Sequence, residues 1–243
     1  MKKLFLLLFL GMAITVQSQV WFEAAAKGTY GYKGFLNSNI MDDGRVNYSL
    51  TPGYAYGGRF GINFGYYNGI SFELLLADNK QKFGVEGPNG STLDYSINWK
   101  AQDLYLLYRF YGQKTFVEIG PKLSKIQKVS QSIDGNDFPV IAGKDYKDYY
   151  SAALGFGTYV FGAANFSLML GARVEYAFQD FVGTDAQMNI PLPRPLLATP
   201  RYSTYKSSNP YSAQICLEFN FGLGYFAKAA CGRRGFFFQY DSY

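Results

Sequence analysis

The stretch Tyr54–Tyr67, YAYGGRFGINFGYY, alternates with period two along its length. One face reads Tyr54, Tyr56, Gly58, Phe60, Ile62, Phe64 and Tyr66. The other reads Ala55, Gly57, Arg59, Gly61, Asn63 and Gly65. Side chains of a strand point alternately to opposite faces, so this pattern predicts a strand with one large apolar face and one small, polar face. The same pattern recurs through the chain. Ile70, Phe72, Leu74 and Leu76 alternate with Ser71, Glu73, Leu75 and Ala77. Phe166 to Gln179 and Ala213 to Tyr225 repeat it, with Arg173, Glu175 and Glu218 on the polar face. Weaker strands are expected over Phe22–Tyr32, Tyr95–Tyr111, Thr115 to about Lys125 and Tyr149–Phe161. The Tyr95–Tyr111 strand changes phase: Tyr95, Ile97, Trp99 and Ala101 are apolar at odd positions, Leu104, Leu106, Tyr108 and Phe110 at even ones. Either a β-bulge near Gln102 reconciles the halves, or the first half stands above the membrane.

Outward from these strands, the connections alternate short and long. Asn68-Gly69 is a hairpin-turn signal, and Gly112–Lys114 and Gly162–Asn165 are short as well. Long connections are expected over Phe35–Pro52, Asn79–Thr92, Gln127–Lys147 and Asp180–Pro210. Short turns on one rim and long loops on the other is the arrangement of outer-membrane barrels. The sequence therefore predicts an all-β chain folded as an eight-stranded antiparallel up-and-down transmembrane β-barrel, placed in the bacterial outer membrane with both termini on the periplasmic side.

The N-terminus agrees with export. Lys2 and Lys3 precede an apolar run from Leu4 to about Val16, and Val16-Gln17-Ser18 fits a signal-peptidase site. A run of about 13 residues is short of the roughly 20 that a spanning helix needs. The expected division is a signal peptide over 1–18, a barrel over 19–226 and a periplasmic tail over 227–243.

Composition separates a membrane barrel from a soluble one. The chain carries 22 Tyr, 22 Phe and 27 Gly, but only 17% charged residues. In a soluble, lipocalin-like barrel the large apolar faces would fill the interior and leave a Gly, Ala, Ser and Asn exterior, which suits water poorly. In a membrane barrel the same small face lines a narrow lumen. Aromatics also mark the short-turn rim: Trp21, Phe22, Tyr66, Tyr67, Phe110, Tyr111, Phe116, Phe161, Phe166, Tyr225 and Phe226 are expected to form a girdle at the periplasmic interface.

The polar face then becomes the lumen, with Glu23, Lys27, Arg59, Glu73, Asp103, Arg109, Glu118, Lys122, Arg173, Glu175 and Glu218. An unpaired buried charge is costly, so the near balance of signs predicts a paired network that plugs the barrel. A proton or ion path is the alternative.

There is no histidine, which removes the His-dependent nucleophiles and the commonest zinc ligand. No enzyme activity, cofactor, catalytic residue or metal site is expected. Asp134-Gly135-Asn136-Asp137 lacks the repeating acidic ligands of a calcium loop and reads as a polar turn. The net charge is +5 with dispersed basic residues, so no nucleic-acid stripe is expected. Cys216 and Cys231 do not make a disulfide framework.

Two segments are candidate partner contacts. The last long connection holds Pro191, Pro193 and Pro195, a surface recognition arm or a stiff loop with no partner. The tail holds Phe236, Phe237 and Phe238, which pack under the barrel mouth, bind an envelope protein or remain disordered.

Phe22–Asn37 (FEAAAKGTYGYKGFLN), Asp103–Lys122 (DLYLLYRFYGQKTFVEIGPK) and Gly171–Phe181 (GARVEYAFQDF) resemble the opening strand, central hairpin and penultimate strand of the small outer-membrane β-barrel domain family of Bacteroidota, the PorT-like barrels, akin to the OmpA/OmpX-like eight-stranded barrels. The resemblance covers most of the mature chain, on loose motifs. Two features depart from the family: the chain runs on past Phe226, and Tyr105 stands where Pro is common. The resemblance implies fold and location, and no shared site residues. The expected role is a structural, adhesive or scaffold protein working through its loops, with lipid as its surroundings. The alternatives are an accessory subunit of a secretion or assembly complex of the type IX secretion kind, and a narrow porin-like channel.

Overall fold

The computed structural model of the chain describes residues 20–86, 90–138, 142–163, 165–183 and 206–225. The expected signal peptide, Pro191, Pro193, Pro195, Phe226, Cys231, Phe236, Phe237 and Phe238 lie outside the described residues.

Among the described residues there are ten strands and one helical turn: β1 (Val20–Leu36), α1 (Ser38–Met41), β2 (Val46–Ser49), β3 (Pro52–Phe64), β4 (Asn68–Glu86), β5 (Thr92–Tyr111), β6 (Thr115–Ile133), β7 (Asn136–Phe138), β8 (Tyr149–Ala163), β9 (Phe166–Ala177) and β10 (Asn209–Tyr225). Eight of them form a ring. β1 pairs with β3, then β3 with β4, β4 with β5, β5 with β6, β6 with β8, β8 with β9 and β9 with β10, all antiparallel. β10 returns to β1, with Lys27 opposite Glu218, and closes the barrel. β2 and β7 are short strands outside the ring, paired with the upper parts of β4 and β6.

The side-chain alternation is inside-out relative to a soluble protein. Phe72, Leu74, Leu76, Leu104, Leu106, Ile119, Phe156, Val174, Ile215 and Phe219 are exposed on the exterior, while every charged residue of the expected lumen is buried. Such a surface is stable only against hydrocarbon, where closed backbone pairing is also required. The chain is a transmembrane β-barrel of the outer-membrane kind.

β4 and β5 are 19 and 20 residues long, roughly twice the 9–11 that cross a bilayer. Their upper halves form, with β2, β6 and β7, a sheet standing above the membrane. There the polarity reverses. Phe83, Val85, Tyr95, Ile97, Trp99 and Val129 turn inward and pack with Phe35, Ile40, Tyr146, Tyr149, Phe181 and Val182. Outside are Lys82, Glu86, Asp94, Lys100 and Lys128. This resolves the phase change in β5. Odd positions face inward from Tyr95 to Tyr111 without a break at Gln102. The solvent changes, not the backbone. A register shift does occur opposite Lys100 and Ala101, but the extra residue is Gln127 on β6.

Much of what reads as loop is therefore hairpin. The connection after β4 shortens to 87–91, and that after β6 is the Asp134-Gly135 turn, with both residues at positive φ (46° and 81°), as a two-residue primed turn requires. The Asn68-Gly69 turn is also corrected. The β3–β4 turn is Gly65–Tyr67, with Gly65 at φ 63°, and Asn68 and Gly69 already pair within β4. Gly69 serves instead as a small lumen-facing residue: a Cβ there would strike Asn63 Oδ1.

An eight-stranded wall bends tightly, and glycine permits it at lumen-facing positions such as Gly57 and Gly120. A Cβ at Gly57 would overlap the carbonyl oxygen of Leu74, and one at Gly120 that of Leu106. Gly57→Val is expected to abolish heat-modifiable migration on gels after refolding, with Gly58→Val, where a Cβ would meet only Ala25 O at 3.8 Å, as the tolerated control.

Candidate functional site

The lumen gathers the charged residues that the sequence places on the inward strand faces, and the strands deliver them by register. Glu23 and Lys27 come from β1, Arg59 from β3, Glu73 from β4, Asp103 and Arg109 from β5, Glu118 and Lys122 from β6, Arg173 and Glu175 from β9, and Glu218 from β10. All eleven point inward and are buried.

They form two connected layers. In the lower layer Arg109 donates to both oxygens of Glu218 (2.8 and 2.9 Å) and to Glu118 Oε2 (2.6 Å). Arg173 donates through Nη1 and Nη2 to both oxygens of Glu73 (2.8 and 3.0 Å) and through Nε to Glu118 Oε1 (2.9 Å). Arg59 donates to Glu218 (2.9 Å), Asn220 (2.8 Å), Ser71 (2.8 Å) and Glu23. Lys27 donates to Glu73 at 2.7 Å and lies 3.2 Å from Glu218. Planar guanidinium forks on carboxylates give strong, geometrically fixed pairs. In the upper layer Lys122 bridges Glu175 (2.6 Å) and Asp103 (3.2 Å). Tyr105 and Gln214 also donate to Glu175 (2.8 and 2.7 Å), and Ser124 to Asp103 (2.6 Å). The Tyr105 ring joins the layers, with the Arg173 guanidinium 4.7 Å from its centroid.

Sequence reasoning misses a twelfth charge. Lys33 is buried within the upper part of β1. The strand was expected to stop at Tyr32. The signal was present, because the odd-inward phase of β1 continues to Lys33. With Lys33 the lumen holds six cations, Lys27, Lys33, Arg59, Arg109, Lys122 and Arg173, against the six carboxylates.

The aromatic girdle needs correction. Trp21, Tyr111 and Phe116 face inward and are buried. Tyr111 and Phe116 pack with Met169 into a floor under the ionic layer. Phe116 lies against Arg109, 4.4 Å from guanidinium to ring centroid, and the Tyr111 hydroxyl donates to Glu23 (2.9 Å). Adjacent aromatics within a strand, such as Trp21-Phe22 and Phe110-Tyr111, point to opposite faces, so one of each belongs to the lumen, whereas Tyr66 and Tyr67 lie in a turn and escape the rule. Tyr66, Tyr67, Phe110 and Phe161 are exposed on the exterior rim, with Phe22 and Phe166 partly so. Tyr225 ends β10. A second belt, unexpected from the sequence, crosses the upper exterior: Tyr30, Tyr32, Tyr54, Tyr56, Tyr150, Tyr176 and Phe178.

The lumen is thus filled at three levels: an aromatic floor, an ion-pair middle and the apolar cap. Between the middle and the cap lies a cavity of about 10 Å³, lined by Lys33, Lys122, Glu175, Ser151 and Ser212, the room one water requires. Among the described residues no group of His, Cys, Asp and Glu is placed to hold a metal ion. Cys216 is a free thiol buried in the wall facing these charges.

No known family model and no curated protein matches the chain, so the likeness to the PorT-like barrels rests on the three quoted motifs alone. Among solved structures it is similar in outline to the outer membrane protein OprG from Pseudomonas aeruginosa, at 9% identity and a TM-score of 0.46, over 84% of this chain and 96% of that one. It is also similar to Ail, the attachment invasion locus protein of Yersinia pestis (13%, TM-score 0.40, 83% and 99%), and to Neisserial surface protein A (13%, TM-score 0.38, 81% and 95%). The barrel assignment rests on the pairing and burial above, not on these likenesses.

Removing one partner of a buried pair strands its counter-charge at a cost of about 3–5 kcal/mol. Arg109→Met is expected to destabilise the barrel by about that amount in urea unfolding from lipid vesicles. Arg109→Met combined with Glu218→Met, which removes charges of both signs, is expected to recover part of the loss.

Proposed function

We propose that this chain is a non-conducting, non-enzymatic scaffold of the outer membrane, which holds a folded platform above the lipid. The observation that carries the reading is the closure of the lumen at three successive levels, by Tyr111 and Phe116, by the Arg109–Glu218–Arg59 network, and by the Trp99–Phe181 cap. Closure of this kind counts against the channel alternative, because an eight-stranded interior is about the volume of its own side chains. The cap supports the platform. Its aromatic contacts, Trp99 to Phe181 at 5.5 Å and Tyr146 to Phe181 at 4.9 Å, tie β5 to the segments 142–148 and 180–183. Asn37 at the foot of α1 ties in the segment 206–208 that leads into β10, donating to Ser208 Oγ (2.9 Å) and Lys206 O (2.8 Å). The described segments 142–148, 180–183 and 206–208 are thus held at the barrel mouth, which suits a structural or adhesive role better than a gated pore. The secretion-subunit alternative depends on the Pro-rich loop and the tail and has no support in the described residues.

Two measurements test the reading. Planar-bilayer recording of the refolded protein should show no conductance steps; steady ion flow would sink the scaffold reading in favour of the channel. In a Cys231→Ser background, Cys216 in the folded barrel should resist a water-soluble maleimide and react fully once urea unfolds it.

A further inference from the structure

The lysines read as dispersed in the sequence are gathered on one side by the fold. On the eight barrel strands, every outward-facing lysine among the described residues sits on β4, β5 or β6: Lys80, Lys82, Lys100, Lys125 and Lys128. The outward positions of β1, β3, β8, β9 and β10 carry none. Register places the five lysines together. Asp78, Lys100 and Lys128 form one cross-strand row, with Lys80, Asn98 and Ser130 above it and Lys82, Ser96 and Ser132 above that. Lys125 lies one step below, opposite Gln102.

The face is only partly neutralised by the protein. On β4, β5 and β6 these three rows hold one carboxylate, Asp78, 3.6 Å from Lys100; Asp137 of β7 stands opposite Ser132 in the top row, and Asp94 follows in the row above. Near Lys125, Asp148 is engaged with the backbone N–H of Ile126 (2.8 Å). Lys100 and Lys128 stand directly opposite each other, an arrangement that destabilises a sheet when nothing lies between the charges. The β6 bulge creates it. Below Gln127 the even positions face inward; above it Val129 and Gln131 do, so Gln127 and Lys128 are both exposed. In a strand without the bulge, the even-inward phase would carry on and turn Lys128 into the apolar cap beside Trp99. The remaining side chains of the face, Ser96, Asn98, Ser130 and Ser132, are small hydrogen-bonding groups.

Its height identifies the partner. Leu76 and Leu104 are the last exposed apolar residues on β4 and β5, and Tyr54, on the upper aromatic belt, pairs with Asp78. The lysines therefore begin where hydrocarbon ends, at the depth of lipid headgroups, and their flexible stems reach along that layer. A soluble polyanion would need no such match of depth. We infer that this face binds the phosphate groups of glycolipid in the outer leaflet through Lys80, Lys82, Lys100, Lys125 and Lys128. The inference rests on the membrane-barrel reading. It assigns the barrel a sided lipid contact, with the tall β4–β5–β6 wall held against anionic headgroups and the opposite wall bounded by the Tyr and Phe belt.

The test uses full-length protein in phosphatidylcholine nanodiscs doped with bisphosphorylated lipid A or with its dephosphorylated form. Native mass spectrometry counts the glycolipid kept on each barrel. Wild type should retain the bisphosphorylated form preferentially, and each lysine removed in a Lys80→Gln, Lys82→Gln, Lys100→Gln, Lys128→Gln series should weaken retention about fivefold at low salt. The same four positions changed to Arg should keep the preference, which separates charge from fold. Equal retention of the two glycolipids by wild type, or undiminished retention in the quadruple Gln variant, would overturn the inference. Binding of a soluble sulfated polysaccharide without glycolipid preference, or displacement of the glycolipid by millimolar inorganic phosphate, would also overturn it. Heat-modifiable migration of wild type reports on the barrel separately: its absence would refute the membrane reading, whereas its presence with no phosphate preference would refute this inference alone.

Discussion

Everything in this structure depends on the closing of β10 onto β1. In hydrocarbon no water is present to satisfy a free sheet edge, and each unpaired backbone group costs several kcal/mol. Pairing of Ala24–Leu36 with Asn209–Phe221 removes the last edge. Once the ring is shut at eight strands, its radius is set, and the radius dictates the rest. The lumen must be filled by its own side chains, the wall must bend at Gly57 and Gly120, and any charge turned inward must find its partner across a narrow space.

The ion-pair network answers that last demand. Its members come from seven strands, so it ties together parts of the ring that share no backbone hydrogen bonds. Arg59 on β3 meets Glu218 on β10, and Arg109 on β5 meets the same carboxylate from the far side. Buried pairs of this kind are weak evidence of net stability, because desolvation offsets much of the attraction. Their stronger effect is on register. Slipping any strand by one residue would turn its charge into lipid, and slipping by two would leave a partner stranded.

A second constraint acts along the barrel axis, where one continuous sheet passes from lipid to water. The same odd positions of β5 carry Arg109 and Asp103 in the membrane and Trp99, Ile97 and Tyr95 above it. The backbone keeps its phase while the preferred exterior changes from Leu and Phe to Lys and Ser. The cap is thus a small soluble-type core built on a membrane wall. The change of solvent sets the Tyr belt, the lysine face and the closed mouth at adjoining levels.

How much of this was legible depended on how local each signal is. Period-two alternation is a property of a single strand, so the eight strands and the eleven charges facing one side could be read from residues alone. Gly65 against Asn68-Gly69 shows the limit: both are plausible turn signals, and the choice between them is settled by pairing with Asn63 and Phe64. The β5 phase change was visible but ambiguous, since a bulge and a change of solvent give the same pattern, and only the position of Gln127 on the neighbouring strand separates them. Trp21, Tyr111 and Phe116 were misplaced because hydrophobicity does not say which of two adjacent aromatics faces out. Lys33 was lost with the strand end at Tyr32. The sequence by itself determined the strands, their inward and outward faces and the inside-out exterior, because these follow from side-chain order along one chain. Only the tertiary structure decided the partners of each charge, the cap and the gathering of the five lysines, because these depend on cross-strand register, which joins residues from the two ends of the barrel sequence, Lys27 with Glu218 among them.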